Sequence, residues 1–410
     1  MGDWTLRLTS LGGLALMLAA AWVFSENRRR IAARPVLAGL ALQLAIAGLV
    51  FLTGAGTAMF RAADAVFGFF MQASNAGAGF VFGKLTTDYT LGAVMAFQVL
   101  PIVIFFSALA GILYHFGVTQ LVVRGMARVM RSAMGTSGAE SLACALLVFF
   151  GIESTTAIGQ YVRRMTRSEV FTLMTAFMAT IAGTVMGAYA TFGAAPGHLL
   201  TASLMSAPAA IVIAKIMVPE TEEPLTRGHV RFAPPLETVN FVDAAARGAG
   251  QGLGLALNIG AMLIAFVGLV HLVNLVLEAA TGALLAEPLT LQGLFGHVFS
   301  PVAAAMGVPW DDAGAVGQLL GTKTILNEFL AYQQMQPLAQ AGTISPRSVV
   351  IATYALCGFA NPGSVAILIG GLSILDPERK GLFARLGVRA LVSGTLAAFM
   401  TACWAGLLAG

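Results

Sequence analysis

Two carboxylates interrupt apolar sequence of membrane grade: Glu153 in ALLVFFGIESTTAIG, residues 145 to 159, and Glu328, beside Asn327, in GTKTILNEFLAY, residues 321 to 332. An acidic residue at the centre of a membrane helix costs roughly 2.5–3.5 kcal/mol on insertion scales, so each needs an offsetting partner. A bound solute is the leading candidate. Thr180, Asn361 and Ser364 fall in similarly broken apolar sequence, the last two in CGFANPGS at residues 357 to 364. Together these side chains offer charged acceptors, amide donors and hydroxyls, a set suited to a polyhydroxylated solute, because one carboxylate can accept from two hydroxyls at once. Burial favours the neutral form of either glutamate, which would link proton uptake to transport. No nucleophile and base pair and no metal-ligand cluster accompanies them, so an enzyme is not expected.

The elements that must position these groups are membrane helices. Of 410 residues, 58% are hydrophobic and only 10% charged, with a mean hydropathy of +0.83; soluble domains carry about 25% charged residues. Apolar segments near the ~20 residues needed to cross a bilayer recur along the whole chain, which predicts one membrane domain. The net charge of +4 suggests no nucleic-acid partner, since the basic residues sit in short loops without aromatic interleaving. Cys144, Cys357 and Cys403 lie in apolar segments without CxxC spacing and read as small buried residues.

Spans are expected at residues 9–25, 36–53, 91–114, 168–193, 198–216, 251–276, 347–375 and 388–409. Residues 57–84, which mix Arg61, Asp64 and Lys84 with Phe60, Phe67, Phe69 and Phe70, suggest a helix along the interface. So do residues 117–133, where Arg124, Arg128 and Arg131 share one helical face. Gly183-Thr184 breaks one span, and Gly358, Pro362 and Gly363 break another. Residues 278–312 contain no Lys or Arg and read as an external loop. Glu140 reads as a helix-start residue, and His271 as a satisfied packing residue. For Glu153 and Glu328 the plainer alternative is an ion pair, and only Lys323 is near enough in sequence to supply one.

Charge bias tests this parsing. With residues 26–35, 115–137, 161–168, 215–247 and 376–389 in the cytoplasm, only Arg7, Arg61, Lys84, Lys323 and Arg347 of the 23 basic residues lie elsewhere. The assignment requires the segments around Glu153 and Glu328 to be re-entrant hairpins opening from opposite faces, and it places both termini outside. Broken backbone at membrane depth is tolerated where it faces protein or a water-filled cavity. An internal repeat follows: hairpin, broken span and span at 138–216, and again at 313–409. Inverted repeats with discontinuous helices are a mark of secondary transporters.

SENRR (25–29), VLPIVIFFSAL (99–109), MTRSEVFTLMT (165–175), PETEEP (219–224), GTKTILNEFLAY and CGFANPGS together give the chain a likeness that covers nearly its whole length. It resembles the concentrative nucleoside transporters. The resemblance implies an all-α integral membrane fold of eight transmembrane helices plus two opposed re-entrant hairpins, arranged as inverted repeats. It also implies a homotrimer in the plasma membrane lipid, working as an elevator. The chain would then divide into residues 1–137, scaffold and interfacial helices; 138–216, first hairpin, broken helix and helix; 217–312, cytoplasmic loop, scaffold helix and external loop; and 313–410, second hairpin, broken helix and last helix.

For the site, the resemblance implies a nucleoside substrate and no cofactor. The family's ribose-binding glutamate matches Glu328, beside Asn327, and its aromatic, asparagine and serine contacts match Phe359, Asn361 and Ser364. Val185 matches a nearby substrate contact. The first hairpin of the family usually reads Gly-Gln-Thr/Ser-Glu; here Glu153 is kept, while Gly151 and Ile152 stand at the Gln and hydroxyl positions. Thr180 and Ile181 match residues that help hold the coupling sodium ion. The asparagine that completes that shell falls on Leu146 or Leu147, neither of which can ligate a hard cation through its side chain. Coupling to H+ is therefore expected over Na+. The alternatives are symport of another polar ribosylated or related metabolite, suggested by Gly151-Ile152, and a nucleoside-binding membrane protein that does not translocate.

Overall fold

Every regular element in the computed structural model, which describes residues 3–86, 95–151, 159, 161–226, 238–283 and 289–409, is helical. The chain begins with α1 (Asp3–Val23), α2 (Ala33–Leu52), α3 (Gly54–Phe82) and α4 (Leu100–His115). Next comes α5 (Val118–Met134), bounded by Gly117 at φ +78° and Gly135 at φ +70°. Glycine occupies both ends because other residues are strained in that left-handed region. Val123, Met130 and Met134 are buried on one face of α5, and Arg124 and Arg128 are exposed on the other.

The first repeat contains α6 (Gly138–Leu147), α7 (Arg167–Ala179), α8 (Gly183–Thr191) and α9 (Pro196–Met217). α7 and α8 are the two halves of the expected broken span. Its break, Thr180 to Ala182, is extended at Thr180 (ψ 162°) and resumes as helix at Gly183. Then α10 (Phe241–Thr281) runs unbroken for 41 residues. Its first turns precede the span expected at residues 251–276. His271 is exposed on it, not packed as expected.

The described residues of 278–312 are mostly helical, where composition suggests a loop. They hold the end of α10 and a 15-residue helix, α11 (Leu291–Ala305), which meets α12 (Trp310–Ile325) at 120°. Asn274 near the end of α10 tethers the start of α11, accepting from the Leu291 amide at 2.8 Å and donating to Gln292 at 3.0 Å. Low charge marked this stretch as unlike the cytoplasmic loops, but an apolar helix also lacks charge.

The second repeat follows with α12, α13 (Glu328–Gln340), α14 (Pro346–Leu356), α15 (Pro362–Leu375) and α16 (Lys380–Leu408). A hydrogen bond between Thr322 and Gln334 (3.0 Å), flanking the Leu326-Asn327 break, shows α13 doubling back on α12. Length and hydropathy pick out eight membrane-crossing candidates among the described residues. They differ from the expected eight at two places: α3 qualifies, and the α14–α15 span, cut at its middle, does not.

Burial divides the molecule. The α7–α8 span and α9 each have 89% of their apolar window buried, against 11% for α10 and 6% for α3. α10 packs most extensively along α4, at a glycine seam. A Cβ on Gly248 would fall 2.5 Å from the Ser107 carbonyl oxygen, and one on Gly252 would fall 2.7 Å from Ser107 Cβ. Small residues at such crossings let helix backbones approach closely in lipid.

Candidate functional site

The two chain breaks meet at the centre of the molecule. The Phe359 amide donates to the Thr180 carbonyl at 3.2 Å. Gly358 is required there, because a Cβ would lie 2.9–3.1 Å from backbone atoms of Met178 and Ala179. This contact brings the starts of α8 and α15 beside the start of α13. Helix N-termini carry partial positive charge, so their convergence favours a carboxylate.

That carboxylate is Glu328, the first residue of α13, which is 5% exposed. Tyr189 donates its hydroxyl to Oε1 at 2.8 Å, and the Asn361 amide lies 3.4 Å from Oε2. Asn327 and Asn361 each cap the helix that follows, accepting from the Leu330 and Ser364 amides at 2.9 and 2.8 Å. Such caps are worth about 1 kcal/mol each, and here they also fix both amides at the site. Tyr189 is held by stacking on Tyr332, with ring centroids 4.7 Å apart, and Phe359 leans on Phe177 at 5.9 Å. Lys323 does not pair with Glu328. It is fully buried, with Nζ 5.6 Å from the centre of the Phe399 ring.

A cavity of about 150 Å³ opens in front of these groups. Of the expected residues, Gly151, Val185, Asn327, Glu328, Phe359, Asn361 and Ser364 line it. Ile152 and Glu153 lie outside the described residues. Thr180 and Ile181 are buried and do not line the cavity. The Thr180 hydroxyl turns away to donate to the Ala176 carbonyl at 2.8 Å, with the Leu147 carbonyl at 3.4 Å. Glu140, as read, starts a helix, but it also forms an ion pair of 2.7 Å with Lys215 that the sequence did not suggest.

Sequence reasoning missed Tyr189, Phe177 and the wall supplied by α10, including Asn258 and Met262. Tyr189 follows Val185 by four residues, the spacing of one helical face, and that was the available signal. Asn258 stands out as a lone amide in a long apolar run.

The sequence matches three adjoining family segments: the Na+ dependent nucleoside transporter N-terminus at residues 12–85, the nucleoside recognition Gate at 96–196, and the Na+ dependent nucleoside transporter C-terminus at 198–406. The chain belongs to the concentrative nucleoside transporter family. Among its relatives are an uncharacterized transporter of Haemophilus influenzae, 40% identical and covered over 98% of both chains, and nucleoside permease NupC of Helicobacter pylori, 37% identical over 98% of both. Mouse solute carrier family 28 member 3 is 40% identical over 98% of this chain and 59% of its own. Among solved structures, that of CNTnw in an inward-facing substrate-bound state superposes with a TM-score of 0.92, at 38% identity over 98% of each chain. As a concentrative nucleoside transporter family member the chain is a multi-pass membrane protein and a transporter, not an enzyme.

Proposed function

We propose that the protein is a proton-coupled nucleoside symporter of the plasma membrane. The observation that carries this reading is Glu328, held at the cavity by a phenol and an amide, with carboxylate lone pairs left for a solute's hydroxyl groups. Glu328 and Asn361 would bind the ribose, Ser364 and Asn327 would complete the polar wall, and Phe359 and Val185 would pack against the nucleoside. Gly151, Ile152 and Glu153 of the first hairpin would close the opposite end.

Coupling to protons is favoured by the break that Thr180 and Ile181 form. Backbone oxygens around it each already accept one hydrogen bond, Phe149 from the Gly183 amide, Thr180 from the Phe359 amide and Ile181 from the Ser203 hydroxyl, and the Thr180 hydroxyl is turned to the Ala176 carbonyl. The side chains of Leu146 and Leu147 add no oxygen, and a hard cation needs several. Relatives bear names such as sodium/nucleoside cotransporter 1, from mouse; the coupling ion is where this chain departs from them.

The seam of α10 and α4 and the low burial of α10 and α3 support a scaffold against which the two repeats slide as an elevator. Apolar residues left uncovered on α10, Leu257 and Ile264 among them, suit lipid and the interface of a homotrimer. The charge bias favours two opposed re-entrant hairpins and both termini outside.

Uptake of radiolabelled nucleosides by proteoliposomes, under separate sodium and proton gradients, tests this reading. It expects uptake driven by an inward proton gradient without sodium. Uptake that needs a sodium gradient and ignores a proton gradient would overturn the coupling, and binding without uptake would make the protein a receptor.

A further inference from the structure

We propose that Asn258 on α10 reads the hydrogen-bonding edge of the nucleobase. This rests on the nucleoside reading above and adds to it a residue from outside both repeats. The polar groups of the second repeat are largely engaged with one another. Tyr189 and Asn361 donate to Glu328, and the amide oxygens of Asn327 and Asn361 cap helices. Among the described residues, what remains free there is the Glu328 lone pairs, the Ser364 hydroxyl and amide N–H groups of Asn327 and Asn361, so no amide of the second repeat has both its oxygen and its nitrogen unengaged for a planar ring bearing a donor beside an acceptor. From the first hairpin, Gly151 lines the cavity with backbone alone.

Asn258 supplies such an amide. It lines the same cavity, and its side chain makes no hydrogen bond to a described residue. Its amide presents a donor and an acceptor side by side, the pattern with which Asn and Gln engage a base edge. Its position is set by packing. Met262, one turn further along α10, meets the start of α15, where a Cβ on Gly363 would lie 2.7 Å from Met262 Cε. Asn258 therefore sits about 6 Å along the helix from that contact, in the wall of the cavity that Ile367 of α15 also lines. Gly248 and Gly252 hold this part of α10 against α4. A polar residue in the interior of a membrane helix is by default a functional candidate when it faces a cavity.

The test compares Asn258→Leu, close in shape and without the amide, and Asn258→Asp, which keeps only acceptors, with wild type in proteoliposomes. Uptake is competed by uridine and inosine and by 3-methyluridine and 1-methylinosine, which keep the ribose but lose the ring N–H. In wild type the preferred parent nucleoside should compete at least about tenfold better than its methylated form, the size expected for a base-edge contact. Asn258→Leu should collapse that ratio toward one by weakening the parent alone, and Asn258→Asp should alter it while keeping the transporter folded. If the ratio is near one in wild type, or survives in Asn258→Leu whether overall uptake falls or not, the inference is overturned. If no member of the panel competes in wild type, the nucleoside reading itself fails, and that result is distinguishable from the others.

Discussion

The two repeats solve the same structural problem with different chemistry. Each must fasten the first helix of its hairpin element to the start of its broken span. In the first repeat, Ser137 and Thr166 cap α6 and α7, and the third residue of each helix, Glu140 and Glu169, completes a capping box. Ser137 also donates its hydroxyl to Glu169, and Lys215 of α9 sits 2.7 Å from Glu140 and 2.9 Å from the Ser168 hydroxyl. In the second repeat a single carboxylate, Asp312 on α12, accepts from the Ser345 amide (2.9 Å) and hydroxyl (2.7 Å) and from the Ser348 hydroxyl at the start of α14. The first rim thus holds two buried acids and needs a cation. The second holds one and is satisfied by hydroxyls.

At the inner ends the contrast is reversed. The half-helices of the second repeat open with Asn327-Glu328 and Asn361, whereas α8 of the first opens at Ala182 with no side-chain cap. Among the described residues, the second repeat therefore carries most of its polar chemistry at the cavity, where the first adds Tyr189, and the first carries its charged chemistry at the rim.

Breaking the comparison at its inner end should have the largest effect. Glu328→Ala should reduce initial uptake rates by about 10- to 100-fold or more, since losing a charged hydrogen-bond partner costs about 1.5–3 kcal/mol; Glu328→Gln should fall between it and wild type. At the first rim, Lys215→Met leaves the Glu140 carboxylate, 1% exposed, without its ammonium. Thermal unfolding in detergent should show a loss of about 3–5 kcal/mol, with substrate affinity unchanged in the surviving protein. At the second rim, Asp312→Ala strands donors but no buried charge, so its stability loss should be smaller, about 1–3 kcal/mol. Equal losses at the two rims would sink the distinction.

The smallest effect is expected where Glu26, in the α1–α2 connection, pairs with Arg167 at 2.7 Å and lies 3.6 Å from Arg389. The Arg167 hydrogen bond, against a partial burial penalty, holds the Glu26 carboxyl below the usual carboxylate range. A depressed acid stabilises the fold at neutral pH, and the contribution fades as pH falls through the carboxylate range. Glu26→Gln should therefore lower thermal stability slightly at pH 7, by well under ~1 kcal/mol for a largely exposed pair, and have no effect once acidification has protonated the wild-type side chain.

Much of this was legible in the sequence because membranes exaggerate its signals. Asn327-Glu328 and CGFANPGS are conspicuous against apolar sequence, and they mark the second repeat's breaks to within a few residues. The Lys215 to Glu140 pair was not legible, since 75 positions separate residues that only the fold brings together. The helix α11 was hidden because an uncharged stretch fits a loop and an apolar helix alike. Tyr189 and Asn258 were passed over because each lies in a span whose polar side could not be known before its neighbours were placed.

The central claim, that Glu328 holds the ribose, is tested most directly by a double cycle between protein and ligand. Equilibrium binding of the nucleoside that wild type transports best, and of its 2′,3′-dideoxy form, is measured for wild type and Glu328→Gln. If Glu328 accepts from the ribose hydroxyls, the two losses are strongly non-additive: the dideoxy compound binds wild type at least about tenfold more weakly than its parent, and Glu328→Gln binds both with nearly equal, weakened affinity. Additive losses, with the variant still preferring the intact ribose as wild type does, would contradict it.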